Sequence, residues 1–327
     1  MGITKNNLPI GAVRKIVSEK FPDKKIQEIK ELTEGMLNAA YSVSFEDGSG
    51  SIVKVAPANA EGLMSNEIHL MSAEVQAMRI MGDYDFVHVA KVQSYDTSKR
   101  LCNSDYLIME RIAGENWIFI KDQMSGEEND IIHHEIGTIQ KKMSEITGEA
   151  FGLLGDDRRF DSLYDFFYLL LNNVLNDAEA KKVEIGETKE SILSLLKKDR
   201  LLFDEVKVPT LVHWDMWEGN IFVKNNHVSG VIDWERAMWG EPFMDDRFRR
   251  HTRNKEFLTG FGKTDFSEKE KRRLGWYDAL LYITMMAEVT YRQYTDKGQY
   301  DWAKSMFQSI WGELREESDR ESERRNL

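Results

Sequence analysis

Apolar residues are spaced in two ways along this chain, and the spacing changes once. In the first third, IQEIKEL (26–32), AAYSVSF (39–45) and SIVKVAP (51–57) are short runs rich in β-branched and aromatic residues, which predicts strands. EDGSGS (46–51) between the last two has the residues of a hairpin turn. MSNEIHLMSAEVQAMRIM (64–81) then places Leu70, Met71, Val75, Met78 and Met81 at helical spacing. VHVAKVQSYD (87–96) and YLIMERI (106–112) return to strand. Beyond a short connection, AGEN (113–116), the period becomes mainly helical. Segments 127–146, 161–175, 187–199 and 276–294 predict helices, with Ile132, Ile136, Ile139, Met143 and Ile146 on one face of the first and Asp161 as an N-cap signal for the second. One stretch inside this half reverts to β-type runs: TLVHWDMWEGNIFVKNNHVSGVIDWERA (210–237), with KNNH (224–227) as a hairpin turn. The expected architecture is a small β-rich lobe, residues 1–112, followed by a larger helical lobe, 113–327. Such an order leaves a cleft between them, where polar residues at strand ends are the candidates for a site.

Composition narrows the class. A chain of 327 residues, 41% apolar, can bury a large core. The longest apolar run, FFYLLLNNVL (166–175), is interrupted by Asn172 and Asn173 and is too short to cross a bilayer. The first fifteen residues lack the apolar core of a signal peptide. A single cysteine, Cys102, excludes an internal disulfide and fits the cytoplasm. The net charge of −12 disfavours nucleic acid as a partner and suits a cationic substrate, although many soluble proteins are acidic for solubility alone.

Within the β-type stretch, Asp215 is followed after four residues by Asn220, and Asp233 ends the next β run. A hairpin returns the chain, so Asp233 can come back beside Asn220. Two neighbouring oxygen ligands suit Mg²⁺, which takes its remaining ligands from water and phosphate. Asp215, not needed for the metal, can accept a hydrogen bond from an attacking hydroxyl, which is the arrangement of phosphoryl transfer. The same chemistry needs a cation on the phosphates. Lys54 sits inside an apolar strand, where an unpaired lysine is costly, and either Glu74 or Glu67 on the following helix can pair with it. An edge-strand lysine facing water is the bland alternative for Lys54. His213, two residues before Asp215, reads as an anchor for the loop. His133-His134-Glu135 lacks the H-E-x-x-H order of a zinc site.

EGMLNAAY, IVKVA, NEIHLMSAEVQAM, YLIMERIAGENW, VHWDMWEGN and GVIDWERAMWGEPFMD together resemble the aminoglycoside phosphotransferase/choline kinase family, small-molecule kinases with a protein-kinase-like fold. The resemblance runs from about residue 26 to 250. It implies an α+β, two-lobe fold and a kinase using ATP or GTP with Mg²⁺. Asp215 matches the family's catalytic aspartate, Asn220 and Asp233 its metal ligands, and Lys54 the lysine on the α- and β-phosphates. Glu74 matches the helix glutamate that pairs with that lysine. Glu110 (carbonyl) and Ile112 (N–H) match the hinge positions facing adenine, and Gly35 and Asn38 the shortened phosphate loop. There are departures: no G-x-G-x-x-G is present, Trp214 and Trp217 bring unusual bulk to the catalytic loop, and GEPFMD replaces the usual G-D-P while keeping Asp245.

The acceptor implied is a small hydroxylated molecule, with an aminoglycoside antibiotic as the leading candidate. The alternatives are a metabolic kinase for choline, homoserine, a sugar or a thioribose, or a nucleotide-binding pseudokinase. Charge and resemblance together place a polycation against carboxylates of the helical lobe. Glu235 is one candidate, and Asp278, Tyr282 and Glu288 follow one face of the helix 276–294.

Overall fold

The computed structural model describes residues 4–325. A first helix, α1 (Ile10–Lys20), precedes the strands β1 (Ile26–Leu32), β2 (Ala39–Phe45) and β3 (Gly50–Val55). Helix α2 (Leu70–Met81) and strands β4 (Val92–Asp96) and β5 (Tyr106–Glu110) complete a five-stranded antiparallel sheet of order β1-β2-β3-β5-β4. Each face of the sheet is covered by one helix, and the period-two alternation of the strands decides what each side chain meets. Val53 and Val55 of β3, with Tyr106 and Ile108 of β5, pack against Val13, Ile16 and Val17 of α1. The alternate residues Leu107 and Met109 join α2 in the main core. Lys54 lies between Val53 and Val55 and therefore points to the α2 side, towards the rest of the molecule.

Helix α1 and the start of α2 both depart from the sequence expectation. Helix α1 lies in IGAVRKIVSEK, where only three residues are buried and the apolar signal is correspondingly thin. The helix expected over 64–81 is divided: Ser65–Glu67 form a short 3-10 turn and α2 begins at Leu70. The cause is Glu67, whose carboxylate accepts from Met64 N–H at 2.8 Å and is held by two arginines.

The remainder is mainly helical. The short strand β6 (Glu115–Asn116) and helix α3 (Trp117–Ile120) lead into α4 (Gly126–Met143), β7 (Gly152–Leu153), α5 (Leu163–Ala180), α6 (Lys189–Lys198) and α7 (Arg200–Phe203). Helix α5 is capped by Ser162, not Asp161, and α4 by Ser125 with Glu128 in a reciprocal capping box. Strands β8 (Thr210–Val212), β9 (Ile221–Lys224), β10 (His227–Val231) and β11 (Met238–Gly240) follow, then α8 (Lys255–Phe261), α9 (Glu268–Tyr291) and α10 (Gly298–Arg325). Asn225 and Asn226, both at positive φ, make the tight turn between β9 and β10, as two consecutive left-handed residues must in such a hairpin. β11 pairs antiparallel with β8, Met238 opposite Val212. The loop leaving β8 and the loop entering β11 are therefore brought side by side. Among the described residues no helix is long and apolar enough to cross a membrane.

Candidate active site

The loop after β8 and the loop after β10 carry the polar residues singled out above. His213 is fully buried, and its Nε2 lies 3.0 Å from the carbonyl oxygen of Ile232. This ties the first loop to the second. Trp214 is at φ 76° and donates its N–H to Asp245 Oδ2 at 2.9 Å. A bulky residue in the left-handed region is strained, and Asp245, itself buried, is the group that holds it there. Asn220 donates through Nδ2 to the carbonyl of Asp215 at 2.8 Å and to its carboxylate at 3.3 Å. Its own carbonyl accepts from Ile232 N–H at 3.0 Å. Asp233 follows at once, also left-handed, with φ 66° and ψ 54°.

Lys54 reaches these loops from the sheet. Its Nζ is 2.6 Å from Glu74 Oε1 and 2.6 Å from Asp233 Oδ1. Burial works against the ammonium, but Asp233 and Glu74 outweigh it and hold the pKa well above the ordinary lysine value. Burial likewise opposes the charge on Asp233, yet Lys54 keeps that carboxyl below its usual range. Glu67 is elsewhere: it binds Arg236 at 2.8 Å and Arg292 at 2.7 Å.

Arg236 is a junction that sequence reasoning missed. One guanidinium nitrogen lies 2.8 Å from both Glu67 and Glu288, and the group stacks over the Trp214 ring at 5.1 Å. Its partners are 169 and 52 positions away, so no local pattern could announce them. Burial lifts the Asp215 carboxyl to about 7, against the pull of Arg236 and with a further push from Asp246 and Asp233. Asp215 is thus poised between charge states near neutrality.

The other sequence candidates divide. Asn38, in the loop before β2, donates to Glu235 at 2.8 Å, joining the glycine-containing segment around Gly35 to the Asp233 loop. Glu235, one of the carboxylates expected to meet the acceptor, thus partners Asn38 in this structure. Its carboxyl is raised well above normal by burial and by Asp233. Glu110 ends β5, and Ile112 is buried against Gly230, where an added Cβ would meet Ile112 at 2.8 Å. Asp278 and Tyr282 correct the expectation of an acceptor-facing surface. Asp278 is 2% exposed, lies 3.6 Å from Arg249 and accepts from Arg250 N–H. Tyr282 is fully buried, its hydroxyl 3.2 Å from His251 Nδ1. Helix α9 is neither a ligand-facing stripe nor a solvated one at these positions; it is packed on both sides, against α5 and α10. Glu288 faces inward on Arg236.

Beside the loops lies a pocket enclosing about 700 Å³ of non-protein space, its open mouth included. Its walls come from the segment leading into α2, from α5 and from α9, and Trp214, Glu235 and Arg236 also line it.

A lysine bridged to a helix glutamate and to an aspartate at the start of a loop, with a second aspartate and an asparagine on the adjoining loop, has the residue types that phosphoryl transfer uses. Residues 28–245 match the model of the phosphotransferase enzyme family. The chain belongs to this family. Solved structures share the fold of this phosphotransferase. A protein from Haemophilus somnus 129PT, provisionally designated a fructosamine-3-kinase, has a TM-score of 0.68 at 14% identity, covering 92% of this chain and 97% of its own. The aminoglycoside phosphotransferase APH(4)-Ia, as a thermostable mutant in ternary complex with AMP-PNP and hygromycin B, has a TM-score of 0.62 at 17% identity, covering 93% and 98%. The plant protein named probable acyl-CoA dehydrogenase IBR3, from Arabidopsis thaliana, is 24% identical over 232 residues, 69% of this chain. The chain spans only 28% of that relative.

Proposed function

We propose that this phosphotransferase moves the γ-phosphoryl group of ATP or GTP onto a hydroxyl of a small organic acceptor. The observation that carries the reading is Lys54, held at 2.6 Å from both Glu74 and Asp233 beside the Asp215–Asn220 pair. In this reading Lys54 neutralises the α- and β-phosphates and Glu74 fixes its position. The loop of Gly35 and Asn38 covers the phosphates, and the backbone at Glu110 and Ile112 meets the base. The acceptor oxygen forms the new bond to the γ-phosphorus, its proton passes to Asp215, and the bond to the β–γ bridging oxygen breaks to release the nucleoside diphosphate. Asn220 and Asp233 fit Mg²⁺. The Asn220 amide uses its N–H on Asp215, which leaves its oxygen as the ligand atom, and Asp233 keeps Oδ2 beyond the oxygen bound to Lys54. Such hard oxygen donors are what that cation selects, and it would supply positive charge to the transferring phosphoryl group.

An aminoglycoside remains the named acceptor to test, because a structural relative is seen with hygromycin B. Calorimetric titration of ATP and GTP, with and without Mg²⁺, together with release of diphosphate nucleotide, tests the core of the reading. Wild type should bind nucleotide in a Mg²⁺-dependent way and Asp233→Ala should lose that dependence. Nucleotide affinity that is equal in both proteins, with and without the metal, would sink it.

A further inference from the structure

Several buried carboxylates near the loops and along α9 are already matched. Asp278 faces Arg249, Glu241 takes Arg273 and the Tyr277 hydroxyl, Asp199 takes Arg272, and Glu67 and Glu288 share Arg236. A polycation entering here would have to break these pairs, and separating a buried pair leaves an uncompensated charge. The pocket beside the loops has the opposite character. Ile68, Ala73, Leu170, Val174 and Leu280 are among its walls. Its ionic groups are engaged: Asp177 accepts from the Ser65 N–H and hydroxyl, Asp156 from Arg158, Glu235 from Asn38. Trp214, next to Asp215 in the chain, and Glu235 and Arg236, two and three residues past Asp233, also line it.

We propose that the acceptor carries its hydroxyl on an uncharged, mainly apolar body, and that this body lodges between α2, α5 and α9 while the hydroxyl is presented past Trp214. The proposal rests on the phosphotransfer reading for the hydroxyl's fate and on the pocket for the body. Apolar burial increases with each methylene by about a factor of four in affinity, whereas charge recognition would not follow chain length at all.

The experiment titrates 1-butanol, 1-hexanol, 1-octanol and hygromycin B into the protein by calorimetry. It then follows phosphorylation of each with ATP and Mg²⁺. Affinity should tighten about fourfold per methylene, with octanol phosphorylated at the highest kcat/KM and hygromycin B not at all. Ala73→Phe, which fills the pocket, and Ile68→Glu, at its exposed mouth, should each weaken octanol binding at least tenfold. The second change lies on the surface, so it reports even if the first fails to fold. The proposal is overturned if affinity ignores chain length, if neither variant weakens it, if bound alcohols are not phosphorylated by protein that binds MgATP, or if hygromycin B is the better acceptor. ATP titrated alone separates the two readings: its failure to bind with Mg²⁺ removes the transfer reading, while the alcohol titrations and the two variants still judge the pocket.

Discussion

Asp215 titrates where its work would be done. Its carboxyl stands at about 7 because burial disfavours the charge. A proton acceptor must be ionised, so kcat/KM should rise as pH climbs through about 7 and flatten above. Arg236 draws that value down, so Arg236→Gln should move the rising limb to higher pH; a pH profile that leaves the limb in place would detach Arg236 from Asp215. Asp215→Asn should cut turnover by on the order of 10²–10⁴, the usual range for general acid–base groups, as read from initial rates at saturating nucleotide. The two helix-region glutamates should part company under mutation. Glu67 is fully buried between two guanidinium groups, and Glu67→Ala should cost about 3–5 kcal/mol of stability by stranding them, visible as a lower urea midpoint. Glu74→Gln should instead raise the nucleotide Kd, because its partner is Lys54. Sequence spacing alone could not separate these glutamates, since they lie seven residues apart on one predicted helix; the break at Ile68–His69 is what sends them to different partners.

Among the elements, the crossing of α4 and α8 depends on two glycines. A Cβ on Gly137 would lie 2.1 Å from the carbonyl oxygen of Phe257, and one on Gly260 would lie 2.0 Å from that of His134. Backbone cannot yield as a flexible side chain can, so Gly260→Ala should destabilise by about 1–3 kcal/mol, measured by thermal or urea unfolding. On α4, burial and the neighbouring Arg247 push His133 down to about 4, and its ring packs edge-on to Trp117 at 4.9 Å. The folded state therefore binds the proton more weakly than the unfolded chain. The stability this neutral ring contributes is complete above about 6.5 and is lost as pH falls from there towards 4. His133→Phe should flatten that part of the pH–stability curve by roughly 1 kcal/mol, discounted for the partial exposure of the ring. The strands and long helices were legible because each commits one face to a core: β2 alternates buried and half-buried without exception, and the Asn pair announces the β9–β10 turn. Helix α1, with three buried residues, and the late start of α2 were not, since one has a thin apolar face and the other is set by arginines far along the chain.

Across the whole molecule, the candidate residues of the loops after β8 and β10 were legible because they are clustered in sequence and joined by a hairpin. The pocket proposed for the acceptor was not, because it is assembled from α2, α5 and α9, and because net charge says nothing about where charge is neutralised. The −12 total belongs to the surface more than to the pocket. The Asn38–Glu235 hydrogen bond joins the sheet to the loops of the helical half. Asn38→Ala should quicken hydrogen exchange of the backbone at residues 34–38 and raise the KM for nucleotide; unchanged exchange there would show that the contact restrains nothing. Arg236 joins parts of the chain in another way, since Glu67, Glu288 and, through Glu67, Arg292 all depend on the same few ångströms. The consequence is historical as well as physical. No one of these four positions can change its charge alone without leaving a buried partner unmatched, so in related chains they should drift as a set. An alignment of relatives should show positions 67, 236, 288 and 292 covarying, with paired charge exchanges or joint replacement by apolar residues.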